Sequence, residues 1–200
     1  MMRYGMVIDL KKCIGCMSCQ MACKTEKGTP PGIFYRRVFE TEVGQYPLAK
    51  RVFLPIQCMQ CRVPICKEVC PTGATAQRED GIITIDKEKC IGCKACIVAC
   101  PYPSRMSVKE IRPYYGNKFT PYEQVRYADH RVGTAEKCDF CLPRLEEGLK
   151  PACVQTCPTN ALYIGNLDDP NSEVSQLIRA RSGYQLKPEY GTDPCVYYLS

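Results

Sequence analysis

Residues 90–101 read CIGCKACIVACP: Cys90, Cys93, Cys96 and Cys100, at gaps of two, two and three residues, with Pro101 next. Related patterns recur three more times. The other groups are Cys13, Cys16, Cys19 and Cys23; Cys58, Cys61, Cys66 and Cys70; and Cys138, Cys141, Cys153 and Cys157. Together they use all but Cys195 of the 17 cysteines in a 200-residue chain. Groups two, three and four end in Cys-Pro, at Pro71, Pro101 and Pro158, whereas group one ends Cys23-Lys24.

Such a density means disulfides or metal. Disulfides fit poorly: the count is odd, and Asp9, Lys11 and Lys12 leave no apolar export segment before Cys13. Zinc favours two separated Cys-x2-Cys pairs. Three cysteines in seven residues plus a fourth instead match the bacterial ferredoxin run for a four-iron cubane. Two-residue gaps let one tight loop reach three corners of the cube, with its amide N–H groups facing the cluster sulfurs. Gly15 and Gly92 sit where that loop needs positive φ or close backbone approach. The fourth cysteine, on a short helical turn, then serves a second cluster, and the following proline breaks the turn.

Charge agrees with this reading. The formal +6 counts neutral thiols. Each cubane with its four thiolates contributes roughly −2, so four sites bring the total to about −2. The basic side chains then balance buried negative centres. No basic stripe with a nucleic-acid motif is present, so no nucleic-acid partner is expected. No run reaches the roughly 20 apolar residues of a membrane span, so a soluble chain without a direct transmembrane segment is expected.

The segment between groups two and three resembles the hairpin of a two-cluster ferredoxin: Thr75 to Arg78 can pair with Ile82, Ile83 and Ile85. The expected fold is α+β, with two bacterial-ferredoxin-like 2[4Fe–4S] units, one nested within the other. Residues 52–110 form the inserted unit with groups two and three. Residues 1–51 and 111–200 form a discontinuous unit with groups one and four and a C-terminal extension. Tyr4 to Ile8 reads as a strand, with Ala161 to Ile164 as its counterpart, and Val196 to Leu199 is strand-like. IFYRRVF and KRVFLPI flank Gly44 and Pro47 as a hairpin. Asp169 to Arg181 reads as an amphipathic helix capped by Asn171 or Ser172, with Val174, Leu177 and Ile178 on its apolar face. Residues 101–137, rich in Tyr and Arg, are either a docking surface or cover for the clusters.

No catalytic constellation emerges. A Walker loop, GxGxxG, a nucleophilic serine motif and HExxH are all missing. Glu68 and Glu88 read as solvated charges, Cys195 as a passive side chain, and His130, the one histidine, as a surface or interface residue. Cubanes with full cysteine ligation leave no open coordination position, so the chain is expected to move electrons and not to be an enzyme alone.

The stretches MVIDLKKCIGC, QCMQC, CPTGA, CPY, EKCDFC, RLEEGLKPACVQTCPTNA and GTDPCVYYL resemble the four-cluster electron-transfer β subunits of molybdopterin oxidoreductases of the dimethyl sulfoxide reductase family. The likeness covers nearly the whole chain and is nearest to subunits of the polysulfide, thiosulfate, tetrathionate, arsenate or transhydroxylase type. Nitrate-reductase-type subunits put tryptophan in place of one group-three cysteine; this chain has no tryptophan and keeps Cys93, so four [4Fe–4S] clusters are expected. The resemblance implies a crosswise ligand set. Cys13, Cys16, Cys19 and Cys157 hold cluster 1, and Cys23, Cys138, Cys141 and Cys153 hold cluster 2. Cys58, Cys61, Cys66 and Cys100 hold cluster 3, and Cys70, Cys90, Cys93 and Cys96 hold cluster 4.

It further implies a large catalytic partner carrying a Mo/W-bis-pterin, and a membrane quinol-binding subunit or other redox partner beyond cluster 4. The alternative is a free-standing polyferredoxin serving a hydrogenase or formate dehydrogenase. The expected compartment is the cytoplasm, or the periplasm by co-export with a twin-arginine partner.

Overall fold

In a computed structural model describing residues 2–200, the expected strands form, and the two ends of the chain meet in one sheet. Strand β1 (Tyr4–Asp9) is followed by helix α1 (Ser18–Lys27), then by the hairpin β2 (Arg36–Val43) and β3 (Lys50–Gln57). Helix α2 (Ile65–Glu68), strands β4 (Thr75–Gln77) and β5 (Ile83–Ile85), and helix α3 (Ala95–Val98) come next. They lead to β6 (Arg105–Ser107), α4 (Pro121–Arg126) and β7 (Ala135–Lys137). The chain closes with α5 (Leu142–Glu146), α6 (Ala152–Gln155), β8 (Leu162–Asn166), α7 (Glu173–Ala180) and β9 (Val196–Leu199).

β1 lies between antiparallel β8 and parallel β9, with Val7 opposite both Tyr163 and Tyr197. Flanked on both sides, β1 is apolar on both faces: Met6, Val7 and Ile8 are all buried. One face packs with Cys19, Cys23, Tyr198 and Phe140. The other receives Val174, Leu177 and Ile178 of α7, as the helical pattern requires. Of the two candidate caps, Ser172 performs the role, its Oγ accepting from the Ser175 amide at 3.3 Å. β4 and β5 pair as the hairpin expected between groups two and three.

The prolines explain the helix lengths. α2, α3 and α6 each carry the third cysteine of a group and stop before the fourth, which precedes Pro71, Pro101 or Pro158. A proline cannot donate into the helix and disfavours helical φ/ψ in the residue before it. Lys24 imposes no such stop, so α1 runs through Cys23 to a left-handed C-cap at Gly28, φ 57°.

Residues 101–137 serve as cover at their ends. Tyr102 and Arg105 are buried, and β6 pairs with β7. Between those ends Tyr115 and Val125 are exposed. His130, expected at the surface or an interface, lies inside this chain. It is buried, with Nδ1 2.8 Å from the Glu136 carboxylate and Nε2 2.9 Å from the Lys27 carbonyl. Glu136 also accepts from Tyr35 Oη at 2.7 Å and pairs with Lys87. Burial works against its charge, yet His130 and Lys87 hold the carboxyl below its ordinary range. A lone histidine without visible partners gives no sign in sequence of this buried polar knot.

Candidate functional site

The cysteine loops owe their shape to a few backbone positions. Gly15 has φ 68° and Gly92 φ 70°. A Cβ on Gly15 would meet the Phe53 ring at 2.3 Å, and one on Gly92 the Gly133 carbonyl at 2.4 Å. Both expected needs, positive φ and close approach, are therefore present. Met17 and Lys94 follow in the left-handed region, turning the chain into α1 and α3.

These loops gather the thiols into four sets. Cys13, Cys16, Cys19 and Cys157 line one cavity, and Cys70, Cys90, Cys93 and Cys96 line another. Cys23 lies close enough to Cys153 and Cys141 for mutual repulsion, which adds to burial in pushing its thiol up. Burial, then Cys23, Asp139, Cys141 and Cys153, raise Cys138 likewise. Cys61 is pushed up to about 12 by burial first, then by Cys58, Cys66 and Cys100. Each set takes three cysteines from one group and the fourth from another. Bare thiolates packed this way would repel one another. Thiolates on a positive iron–sulfur core fit the arrangement, because the core offsets much of their mutual repulsion and about half of their buried charge.

Among the described residues no three His, Cys, Asp or Glu side chains are close enough to hold a single metal ion. Access differs between the sets. Cys16 and Cys93 are exposed, and Ile14 and Ile91 beside them are 59% and 69% exposed. The second set is enclosed, with Cys23, Cys138, Cys141 and Cys153 all buried. Cys195 is buried outside all four sets, its amide bonded to the Met59 carbonyl at 2.9 Å.

Three buried cations border the thiols, a feature that the spacing of the cysteines did not reveal. Arg36 Nη1 lies 3.5 Å from Cys153 Sγ and 3.5 Å from Met6 Sδ. Arg105 Nη2 lies 3.1 Å from Cys66 Sγ. Lys137 donates to the Cys138 carbonyl at 2.8 Å and to the Ile83 carbonyl. The sequence marked Arg105 only as one arginine in a Tyr- and Arg-rich segment. Arg36 and Lys137 carried no signal beyond their proximity to cysteine groups.

The sequence comparisons agree with the geometry. Residues 49–113 and 107–167 match a 4Fe-4S dicluster domain, and residues 4–25 match a 4Fe-4S binding domain. The chain is thus a ferredoxin-like iron–sulfur protein of mixed α/β structure. The B subunit of the selenate reductase of Mesobacillus selenatarsenatis is 47% identical, the match covering 99% of this chain and 72% of the relative. The iron–sulfur subunit of the arsenate respiratory reductase of Shewanella sp. strain ANA-3 is 41% identical, covering 99% and 96%. The B subunit of the tetrathionate reductase of Salmonella typhimurium is 41% identical, covering 98% and 72%. The chain belongs to the iron–sulfur subunits of the dimethyl sulfoxide reductase family of molybdoenzyme reductases. It is an electron-transfer subunit and not the catalytic one. Among the described residues no helix is long and apolar enough to cross a membrane.

Proposed function

We propose that the chain holds four [4Fe–4S] clusters and relays electrons between a Mo/W-bis-pterin catalytic subunit and a membrane quinol-binding subunit or other redox partner. Cys13, Cys16, Cys19 and Cys157 hold the first cluster, and Cys23, Cys138, Cys141 and Cys153 the second. Cys58, Cys61, Cys66 and Cys100 hold the third, and Cys70, Cys90, Cys93 and Cys96 the fourth. The observation that carries the reading is the crosswise gathering: each set draws three thiols from one group and one from another. A bound cubane supplies one-electron chemistry.

The protein's own residues do the rest. The sixteen thiolates consume every coordination position, so no substrate is turned over on this chain. Backbone amides reach the sulfurs, Phe140 N–H donating to Cys138 Sγ at 3.4 Å and Ala161 N–H to Cys157 Sγ at 3.3 Å. Exposed Cys16 and Cys93, each beside an exposed isoleucine, put the first and fourth sites within reach of partners. The enclosed second site keeps water away from the middle of the chain of sites.

The two ferredoxin-like units are nested in this reading. Residues 1–51 and 111–200 form the outer unit, supported by β1 between β8 and β9 and by the packing of α1 on α6. Residues 52–110 form the inner one, supported by the packing of α2 on α3. The assembly works in the cytoplasm, or in the periplasm after folded co-export with a twin-arginine partner; cell fractionation separates the two.

Anaerobic purification from native cells tests the whole reading. About sixteen irons per chain, by the count of four cubanes, are expected together with molybdenum or tungsten and a large subunit. The same iron without a pterin metal or a stable partner would instead indicate a free polyferredoxin.

A further inference from the structure

Arg36 and Arg105 occupy matching places. Arg36 opens β2, where its backbone pairs with Gln57, and Arg105 opens β6 opposite Lys137. Their exposures are 2% and 4%. Among the described residues neither is paired with a carboxylate. Arg36 Nε and Nη2 are buried without a hydrogen-bond partner. Arg105 is held by Thr75 Oγ1 at 3.2 Å and by Cys66 Sγ.

The sulfurs around them follow one rule. Cys153, Cys19 and then Cys138, the third cysteines of groups four and one and the first of group four, act on the charge of Arg36. Cys66, Cys58 and then Cys96, the third and first cysteines of group two and the third of group three, act on that of Arg105. The helices carrying the third cysteines pack in the same pairs, α1 with α6 and α2 with α3. Each guanidinium therefore touches a thiol of one set and lies within electrostatic reach of the other set of the same unit.

A guanidinium stays protonated in proteins, and burying it without a counter-charge is costly. Buried N–H groups also need acceptors. The negative charge and sulfur acceptors of two thiolate-bound clusters meet both needs. Resting on the four-cluster reading, we infer that Arg36 and Arg105 are paired tuning residues, one per ferredoxin-like unit, each placing a fixed cation between two clusters and raising the reduction potential of both. The sign follows from charge. A cubane with four thiolates goes from about −2 to about −3 when it takes one electron from a donor. A fixed cation in a low-dielectric setting stabilises the more negative form more. It also screens the two clusters of a unit from each other.

The test uses the complete complex, purified anaerobically as wild type, Arg36→Gln, Arg36→Lys, Arg105→Gln and Arg105→Lys, with iron content and EPR-monitored redox titration as readouts. Arg36→Gln should shift the one-electron equilibrium of two of the clusters at least tenfold toward oxidation, about 59 mV lower. Arg105→Gln should do the same to the other two. The lysine variants keep the charge and should stay nearer the wild type than their glutamine counterparts. Unmoved potentials in iron-replete glutamine variants would overturn the inference, as would equal shifts in Gln and Lys variants or a shift of all four clusters by either arginine. Should one glutamine variant lose iron, the other decides. Should both lose it, the lysine variants decide: retained iron and potentials support the charge role, and lost iron assigns the arginines to packing. A wild-type complex with far fewer than about sixteen irons would sink the four-cluster reading itself; full iron with unmoved potentials would sink only this inference.

Discussion

Gly92 sits directly against Gly133: a Cβ on Gly92 would lie 2.4 Å from the Gly133 carbonyl oxygen. This contact links the loop of cysteine group three to the turn before β7. Gly92→Ala combines positive φ with a clash against backbone, which cannot swing aside. It should destabilise the protein by about 1–3 kcal/mol and loosen the fourth cluster first. Gly116→Ala is the control, since its φ is 60° but nothing lies within 4 Å of the added Cβ. Anaerobic thermal denaturation followed by cluster absorbance should show a larger loss for Gly92→Ala.

Cys93→Ala should damage the fourth cluster and leave the first reducible. Cys93 is exposed and shares its cavity with Cys70, Cys90 and Cys96, remote in grouping from Cys13, Cys16, Cys19 and Cys157. Iron analysis with EPR of the reduced complex reads the outcome. Loss of the first cluster's signal would show the pairing to be wrong.

Cys195→Ser should leave the iron content unchanged. Cys195 is buried, yet it lies outside every thiol set. A drop of about four irons, one cubane, would make it a ligand.

The Asp9–Arg181 ion pair gives a pH-dependent contribution. Asp9 is buried, and Arg181 reaches its carboxylate through two guanidinium nitrogens. Desolvation raises the Asp9 pKa, but the Arg181 hydrogen bond and charge outweigh it and leave the carboxyl below its ordinary range. A lowered folded-state pKa means stability that is fully present above the unfolded value of about 3.9. That stability disappears as pH falls through the folded value. Arg181→Gln should therefore be less stable than wild type at neutral pH, and the gap should close as the pH drops below about 4. Denaturant midpoints measured across that range check the sign.

Ser172→Ala should cost about 1 kcal/mol. It removes the acceptor for the Ser175 amide at the start of α7, and the same hydroxyl donates to the Asn166 carbonyl at 2.6 Å. Because α7 covers β1 on the face away from the thiols, the iron content should stay unchanged while the melting temperature falls.

The cysteine spacing alone determined the chemistry of this protein. Iron–sulfur ligation depends on local loop geometry, and Cys-x2-Cys-x2-Cys with its glycine is a local signal. The strands of the hairpins, the capped helix α7 and the stops set by Pro71, Pro101 and Pro158 were legible for the same reason. Other features depend on partners distant in sequence. The parallel pairing of β9 with β1 joins residues 196–199 to residues 6–9, and no local pattern specifies it. His130 becomes a buried partner of Glu136 because Tyr35 and Lys27, about a hundred positions earlier, close over it. Arg36 reads as an ordinary strand arginine and Arg105 as one of several in a Tyr- and Arg-rich segment until the packing of α1 on α6 and of α2 on α3 brings thiols to each. A charge's role is set by what neutralises it, and only the tertiary structure brought the sulfurs to these two.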